Sequence, residues 1–333
     1  MVRIADVAKR ANVSTATVSR VLTNSVSVRK ETAVKVLEAI KELDYQPNLL
    51  ARQLRTMETK TILVVISDIS NPFFSKVLRG IKETALHNGY QVLLGDIINK
   101  VEQETNYLNI MRQRKADGLI LLTARSDKES LESIANEFPV VLACEYIEGA
   151  TIPTVSIDNI SSARKITDHL IKLNHKRIAT ITGPLDVVLG RDRLKGFQQA
   201  MSQYDLPLEP FLVQEGDFTF ESGYNLMTKL LASANPPTAV FAASDEMAIG
   251  AVKAIKSMGL KVPEDISVVG FDDIRFASII EPPLTTIAQP AFEIGSKAME
   301  LLIMLLNDNE LKNRQFILED KLIVRDSCGE CKL

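Results

Sequence analysis

The first residues that offer chemistry are Thr15, Ala16, Thr17, Ser19 and Arg20. They share the outward side of a predicted helix whose buried stripe is Val18, Val21 and Leu22. Ser14 can cap that helix by accepting a backbone N–H from its first turn. Small polar residues let a helix sit deep in a DNA major groove, where hydroxyls reach phosphates or base edges. Arg20 has the fork that fits guanine O6 and N7, and it fits a phosphate equally well.

A second group follows apolar strand-like runs. Phe73 and Phe74 come after Thr61–Ile66 and can stack a planar ring or the apolar face of a sugar, although core packing is the commoner fate of such a pair. Arg193, Asp245 and Asp272 are charges set beside apolar strands or helix starts. They can hydrogen-bond a polyol or a base, or form a structural ion pair. Enzyme signatures are missing: no GxGxxG follows the first strand, and GxxxxGK[ST], GxSxG and HExxH are absent. Cys328 and Cys331 form a CxxC near the C-terminus, far in sequence from His87, His169 and His175. They read as tail rather than as a zinc or redox site. No metal and no cofactor are expected.

The elements that must position these groups come in two styles. Ile4, Val7, Ala8 and Ala11 predict a short amphipathic helix, interrupted at Asn12-Val13. A third helix is expected from about Lys30 to Leu43, capped by Ser27, with Val34, Leu37, Ile40 and Leu43 inward. Two short helices joined by a tight turn, with a third completing the core, make a helix-turn-helix. From Lys60 strands and helices alternate. The first cycle is strand 61–66, a helix to about Leu86, strand 91–95, helix 101–114 and strand 118–122. The second runs from 176–181 through helix 191–203, strand 239–243, helix 246–258 and strand 266–271. Strand 284–288 and helix 293–307 close the chain. Two such cycles predict two doubly wound lobes with a ligand cleft between them, at strand C-terminal ends.

Composition agrees. The 333 residues, 46% of them hydrophobic and 24% charged, exclude a disordered or collagenous chain. Neither a bilayer-spanning run nor a signal-peptide core is present, so a cytoplasmic location is expected. The net charge of −3 conceals a split. Residues 1–57 carry ten Lys/Arg against five Asp/Glu, and the remainder 29 against 37. A basic head on an acidic body suggests nucleic-acid contact at one end.

Ile4-Ala5-Asp6-Val7-Ala8 with Val13–Arg20, then Tyr45-Gln46-Pro47-Asn48 and Ala51-Arg52-Gln53-Leu54, resemble the head and hinge of the LacI/GalR family of transcription regulators. The resemblance continues along essentially the whole chain. Asp44 departs from it, standing where the family usually has Gly; Asp tolerates the left-handed turn needed there better than most residues. The resemblance implies an all-α helix-turn-helix head, a hinge helix and a two-lobed α/β core like periplasmic binding proteins, with parallel sheets. The implied boundaries are 1–46 for the head, 47–58 for the hinge and 59–333 for the core. Within the core, one lobe comprises about 59–158 and 290–317, the other about 159–289 and 318–333. The implied DNA contacts are Ser14, Thr15, Ala16, Thr17, Ser19, Arg20, Asn48, Ala51, Arg52, Leu54 and Arg55, with Leu54 wedging between base pairs. A hinge of about two turns is marginal alone, since isolated helices need roughly 12–15 residues. Phe218 and Gln289, with Glu145 and Asp158, join Phe73, Phe74, Arg193, Asp245 and Asp272 as implied effector residues. The stretches 216–221 and 282–290 look most like nucleoside-responsive members.

The expected function is therefore a homodimeric DNA-binding regulator, a repressor, on a pseudo-palindromic site under a nucleoside or sugar effector. The rivals are an activator or catabolite regulator, a free-standing small-molecule binding protein, and an enzyme with an accessory DNA-binding head.

Overall fold

The computed structural model describes residues 2–22, 28–45, 58–98 and 100–331. The chain divides into two compact units, Met1–Thr59 and Lys60–Leu333.

In the first unit α1 (Ile4–Ala11), α2 (Thr15–Leu22) and α3 (Lys30–Glu42) enclose a small core of Val7, Ala8, Ala11, Val18, Val21, Val36 and Ala39. The turn between α1 and α2 is set by Asn12, left-handed at φ 54°. Ser14 then caps α2, its Oγ accepting from the Thr17 N–H at 3.1 Å. Asp44 closes α3 at φ 47°, the left-handed turn expected of it. One expectation is corrected. Val34 and Leu37 of α3 are 53% and 54% exposed, and Val36 and Ala39 take the inward face beside Ile40 and Leu43. Steps of three along a helix drift by about 60° each, so the stripe 34, 37, 40, 43 curls off the contact face. Ser27, expected as the α3 cap, lies outside the described residues, and Arg29 holds the N-cap position.

The second unit begins with β1 (Thr61–Ile66), α4 (Pro72–His87), β2 (Gln91–Asp96), α5 (Val101–Arg112), β3 (Gly118–Leu121), α6 (Lys128–Glu137), β4 (Val140–Ala143) and β5 (Thr154–Ile157). It continues with α7 (Asn159–Lys172), β6 (Ile178–Thr182), α8 (Val188–Gln203), β7 (Val213–Glu215), α9 (Phe220–Leu231), β8 (Ala239–Ala242), α10 (Asp245–Ser257) and β9 (Ser267–Val269). It ends with β10 (Thr286–Ala288), α11 (Ala291–Leu306), β11 (Gln315–Leu318) and β12 (Lys321–Ile323). One parallel sheet has the order β11-β5-β4-β3-β1-β2 and a second has β7-β6-β8-β9, while β10 and β12 pair antiparallel. The chain thus crosses between lobes more than once: β11 adds to the first sheet after the second is complete. Strands β4, β5, β7, β11 and β12 and helices α6, α7 and α9 were not legible in the sequence. The first two of those strands are wholly buried four-residue runs, too short to show any periodicity.

Helices α4 and α11 pack backbone against backbone at two glycines. A Cβ on Gly80 of α4 would collide with the Phe292 carbonyl of α11, and one on Gly295 with the Val77 carbonyl. Among the described residues, no helix is long and apolar enough to cross a membrane.

Candidate ligand cleft and nucleic-acid interface

The parallel strands of both lobes end around one cavity of about 330 Å³, a volume within the range of small-molecule sites. The first lobe contributes three loops. After β1, Asn71 caps α4 by accepting from the Phe73 N–H at 3.0 Å. This sets Phe73 and Phe74 edge to face, 5.5 Å between centroids, each 7% exposed. After β3 come Thr123 and Arg125, and after β4 comes Glu145. Arg125 Nη1 pairs with Glu145 at 3.2 Å. Burial still raises the Glu145 carboxyl, outweighing that guanidinium.

Thr123 is 3% exposed and lines the cavity. Its Oγ1 has no hydrogen-bond partner among the described residues. A buried, unsatisfied hydroxyl costs about 1–3 kcal/mol, which a ligand that bonds to it recovers. Thr123→Val should therefore leave the ligand-free melting temperature unchanged or raised and weaken ligand binding about tenfold by calorimetry. Unaltered binding would exclude the contact.

The second lobe contributes a charged network. Arg193 of α8, 3% exposed, donates from Nε to Asn159 Oδ1 at 3.0 Å and from Nη1 to the Ala243 carbonyl at 2.6 Å. Nη1 also lies 3.6 Å from Asp272 Oδ1. The guanidinium stacks 3.7 Å over the Phe271 ring and 6.0 Å from that of Phe218. Asp272 Oδ1 accepts from Gln289 Nε2 at 2.7 Å. A buried cation and a buried anion are tolerated because each is paired and further hydrogen-bonded. The rim holds unusual backbone: Cys144 at φ 70°, Phe218 at φ 68° and Asp272 at φ 114°. Such non-glycine outliers gather at ligand sites. Gly183 has no Cβ because the Phe218 ring fills that space.

Burial pushes Asp272 up to about 6, against the opposing pull of Arg193 and the Gln289 amide. The sign follows. Between about pH 4 and 6 the folded chain holds a proton that the unfolded chain has released, so stability falls as pH rises through that window and is level above it. Asp272→Asn should remove this part of the slope, up to about 3 kcal/mol, in denaturant melts at pH 4.5 and 7. Identical slopes in both proteins would refute it.

Seven expected effector residues meet at this cavity: Phe73, Phe74, Glu145, Arg193, Phe218, Asp272 and Gln289. Two do not. Asp158 caps α7, its Oδ1 accepting from the Ser161 N–H at 2.9 Å, and lines a separate small cavity. Asp245 lies beneath the floor, fully buried. Its Oδ1 accepts from Thr286 Oγ1 at 2.6 Å and its Oδ2 from the Ile274 N–H at 2.8 Å. It thereby ties β10 and the loop after Asp272 to the start of α10. Burial drives its carboxyl well above the usual range. The neighbours Ser244 and Glu246 face the cavity in its place. Sequence reading also missed Thr123 and Arg125, whose signal was their position just past the run 118–122.

In the small unit Ser14, Thr15, Ala16 and Arg20 are exposed and Thr17 and Ser19 half-exposed on α2 and its cap. The Ser14 hydroxyl is engaged by Thr17 Oγ1 at 2.9 Å. Asn48, Ala51, Arg52, Leu54 and Arg55 lie outside the described residues.

A helix-turn-helix unit in one chain with a two-lobed body that closes round a small-molecule cavity defines a ligand-responsive transcription regulator. Comparison with known proteins agrees. Residues 3–48 match the model of bacterial regulatory proteins of the lacI family, and residues 167–328 that of a periplasmic binding protein-like domain. The HTH-type transcriptional repressor CytR of Escherichia coli (strain K12) is 42% identical over 323 residues, 97% of this chain and 95% of that protein. The Lac repressor dimer bound to operator and the anti-inducer ONPF superposes with a TM-score of 0.89 at 31% identity, covering 98% of this chain and 99% of that one. The transcriptional regulator CelR in complex with cellobiose gives 0.76 at 33% identity, covering 98% and 100%. The chain belongs to the lacI family of bacterial regulatory proteins. It is an effector-controlled, DNA-binding regulator of transcription and not an enzyme.

Proposed function

We propose that the protein is a cytoplasmic repressor that binds a pseudo-palindromic DNA site as a homodimer and is controlled by a nucleoside in the cleft. The observation that carries the effector class is the cavity wall. Aromatic faces of Phe73, Phe74 and Phe218 stand beside an Arg193–Asp272–Gln289 network whose charges are already paired. That suits a neutral ligand with one planar ring and several hydroxyls. The likeness to CytR supports a repressor; the cellobiose complex of CelR keeps a sugar as the second reading. A melt against nucleosides, purine bases and sugars decides between them. A ligand at about 100 times its dissociation constant stabilises the fold by about 2.7 kcal/mol. Shifts from sugars alone would reject the nucleoside.

Exposed apolar residues support the dimer: Leu86, Leu93 and Ile98 in the first lobe, Met258, Phe276 and Ile279 in the second. Such side chains mark a protein contact where they form one patch, and the Lac repressor that superposes on this chain is a dimer. Two heads on one dimer read two half-sites, so protein symmetry is mirrored in the DNA. Head, hinge and core divide near 46 and 58 in this reading. The acidic body stays clear of the phosphates while the basic head and hinge engage them. Ser14–Arg20 read the major groove; Asn48, Ala51, Arg52, Leu54 and Arg55 serve the hinge contact. Leu54→Ala should lower specific DNA affinity at least tenfold in an anisotropy titration and leave effector binding intact; unchanged affinity would remove the wedge role.

A further inference from the structure

We infer that Tyr146 and Asp192 form a strap that sets effector affinity from outside the cavity by holding its two walls together. Tyr146 follows β4 in the first lobe, and Asp192 sits in α8 of the second. Tyr146 Oη donates to Asp192 Oδ2 at 2.9 Å. Their immediate chain neighbours are Glu145 and Arg193, which line the cavity from opposite sides. The strap and the ligand walls therefore share the same two stretches of backbone. Separating Tyr146 from Asp192 must draw Glu145 away from Arg193.

A second link lies beside another cavity residue. Lys76 Nζ of α4 donates to the carbonyl of Asp273 at 2.9 Å, and Asp273 adjoins Asp272. Each link thus adjoins one member of the Arg193–Asp272 pair. Tyr146 remains a donor at any physiological pH, its phenol being pushed up to about 12 by burial and by Asp192. Asp192 is half-buried among Tyr146, Lys195, Arg191 and Asp158. A hydrogen bond to a charged acceptor in such a place shifts a two-state equilibrium by about tenfold or more. Neither strap residue lines the main cavity, so both are positioning residues.

The strap rests on the cleft being the effector site, but its test does not need the effector. Nitroxide labels go on Asn136 of α6 and Ser202 of α8, both exposed, with Cys328 and Cys331 replaced by Ser. Labelled chain is diluted into unlabelled chain, and interlobe distances are read by electron–electron resonance without ligand. Tyr146→Phe keeps the ring and loses the donor. It should raise the population at the longer distance relative to that at the shorter about tenfold. Asp192→Ala should do the same, and the double variant should be no more open than either. A Tyr146→Phe distribution equal to that of the parent overturns the strap, because packing alone survives that change. So does opening by Asp192→Ala without opening by Tyr146→Phe. With cytidine as probe, Tyr146→Phe should also weaken binding about tenfold. If cytidine binds neither protein, the nucleoside reading fails while the distances still decide the strap.

Discussion

Replacing Arg193 by Met should abolish the response to effector and leave the head able to bind DNA. The guanidinium holds the second-lobe wall in four directions: Asn159, the Ala243 carbonyl, Asp272 and the Phe271 ring. Methionine matches the stem and none of the donors. Ligand affinity should fall about 100-fold, since a charged hydrogen bond and its geometry are lost together. The fold should lose about 3–5 kcal/mol, because Asp272 is left buried without its cation. Adding Asp272→Asn to the same chain should restore much of that stability, by removing the unpaired charge, and none of the affinity. Lysine would not rescue binding, since a point charge cannot reproduce the fork. Calorimetric binding equal to that of the parent would show that the ligand sits elsewhere.

The second large effect is expected far from any ligand. Gly295 and Gly80 let α11 and α4 touch through their backbones, with the Val77 and Phe292 carbonyls occupying the places where side chains would begin. Backbone cannot swing aside as a rotamer can. Gly295→Ala should therefore force the helices apart and cost about 3 kcal/mol or more, lowering the melting temperature by roughly 6–12 °C in a body of this size. Gly89, at φ 74° with open space around its Cβ position, is a control for a different mechanism. There alanine meets only backbone strain, of order 1–2 kcal/mol. Equal losses at both positions would refute the close-contact account.

Local pattern carried a great deal here. Ile4, Val7, Ala8 and Ala11 at helical spacing, Ser14 ahead of Val18 and Val21, and the β-branched run 61–66 each specify an element by themselves. Chemistry that immediately follows such a run is legible too, and Phe73 and Phe74 were found that way. Arg193 and Asp272 were visible as charges that an apolar neighbourhood had to justify.

What the sequence could not decide was which of several similar residues reaches the ligand. Asp245 and Asp272 both stand beside apolar strands. Asp245 sits at the first turn of α10 and turns under the floor, while Asp272 emerges past β9 on a left-handed backbone. Thr123, Arg125 and Glu145 become one wall only because β3 and β4 are neighbours in the sheet. On α3, Val36 and Ala39 rather than Val34 and Leu37 face inward because α1 and α2 approach from that side. Periodicity tells that a helix has a buried face and that a strand ends near a site. The rotation of each helix and the order of strands depend on contacts between residues far apart in the chain, and those exist only in the folded molecule.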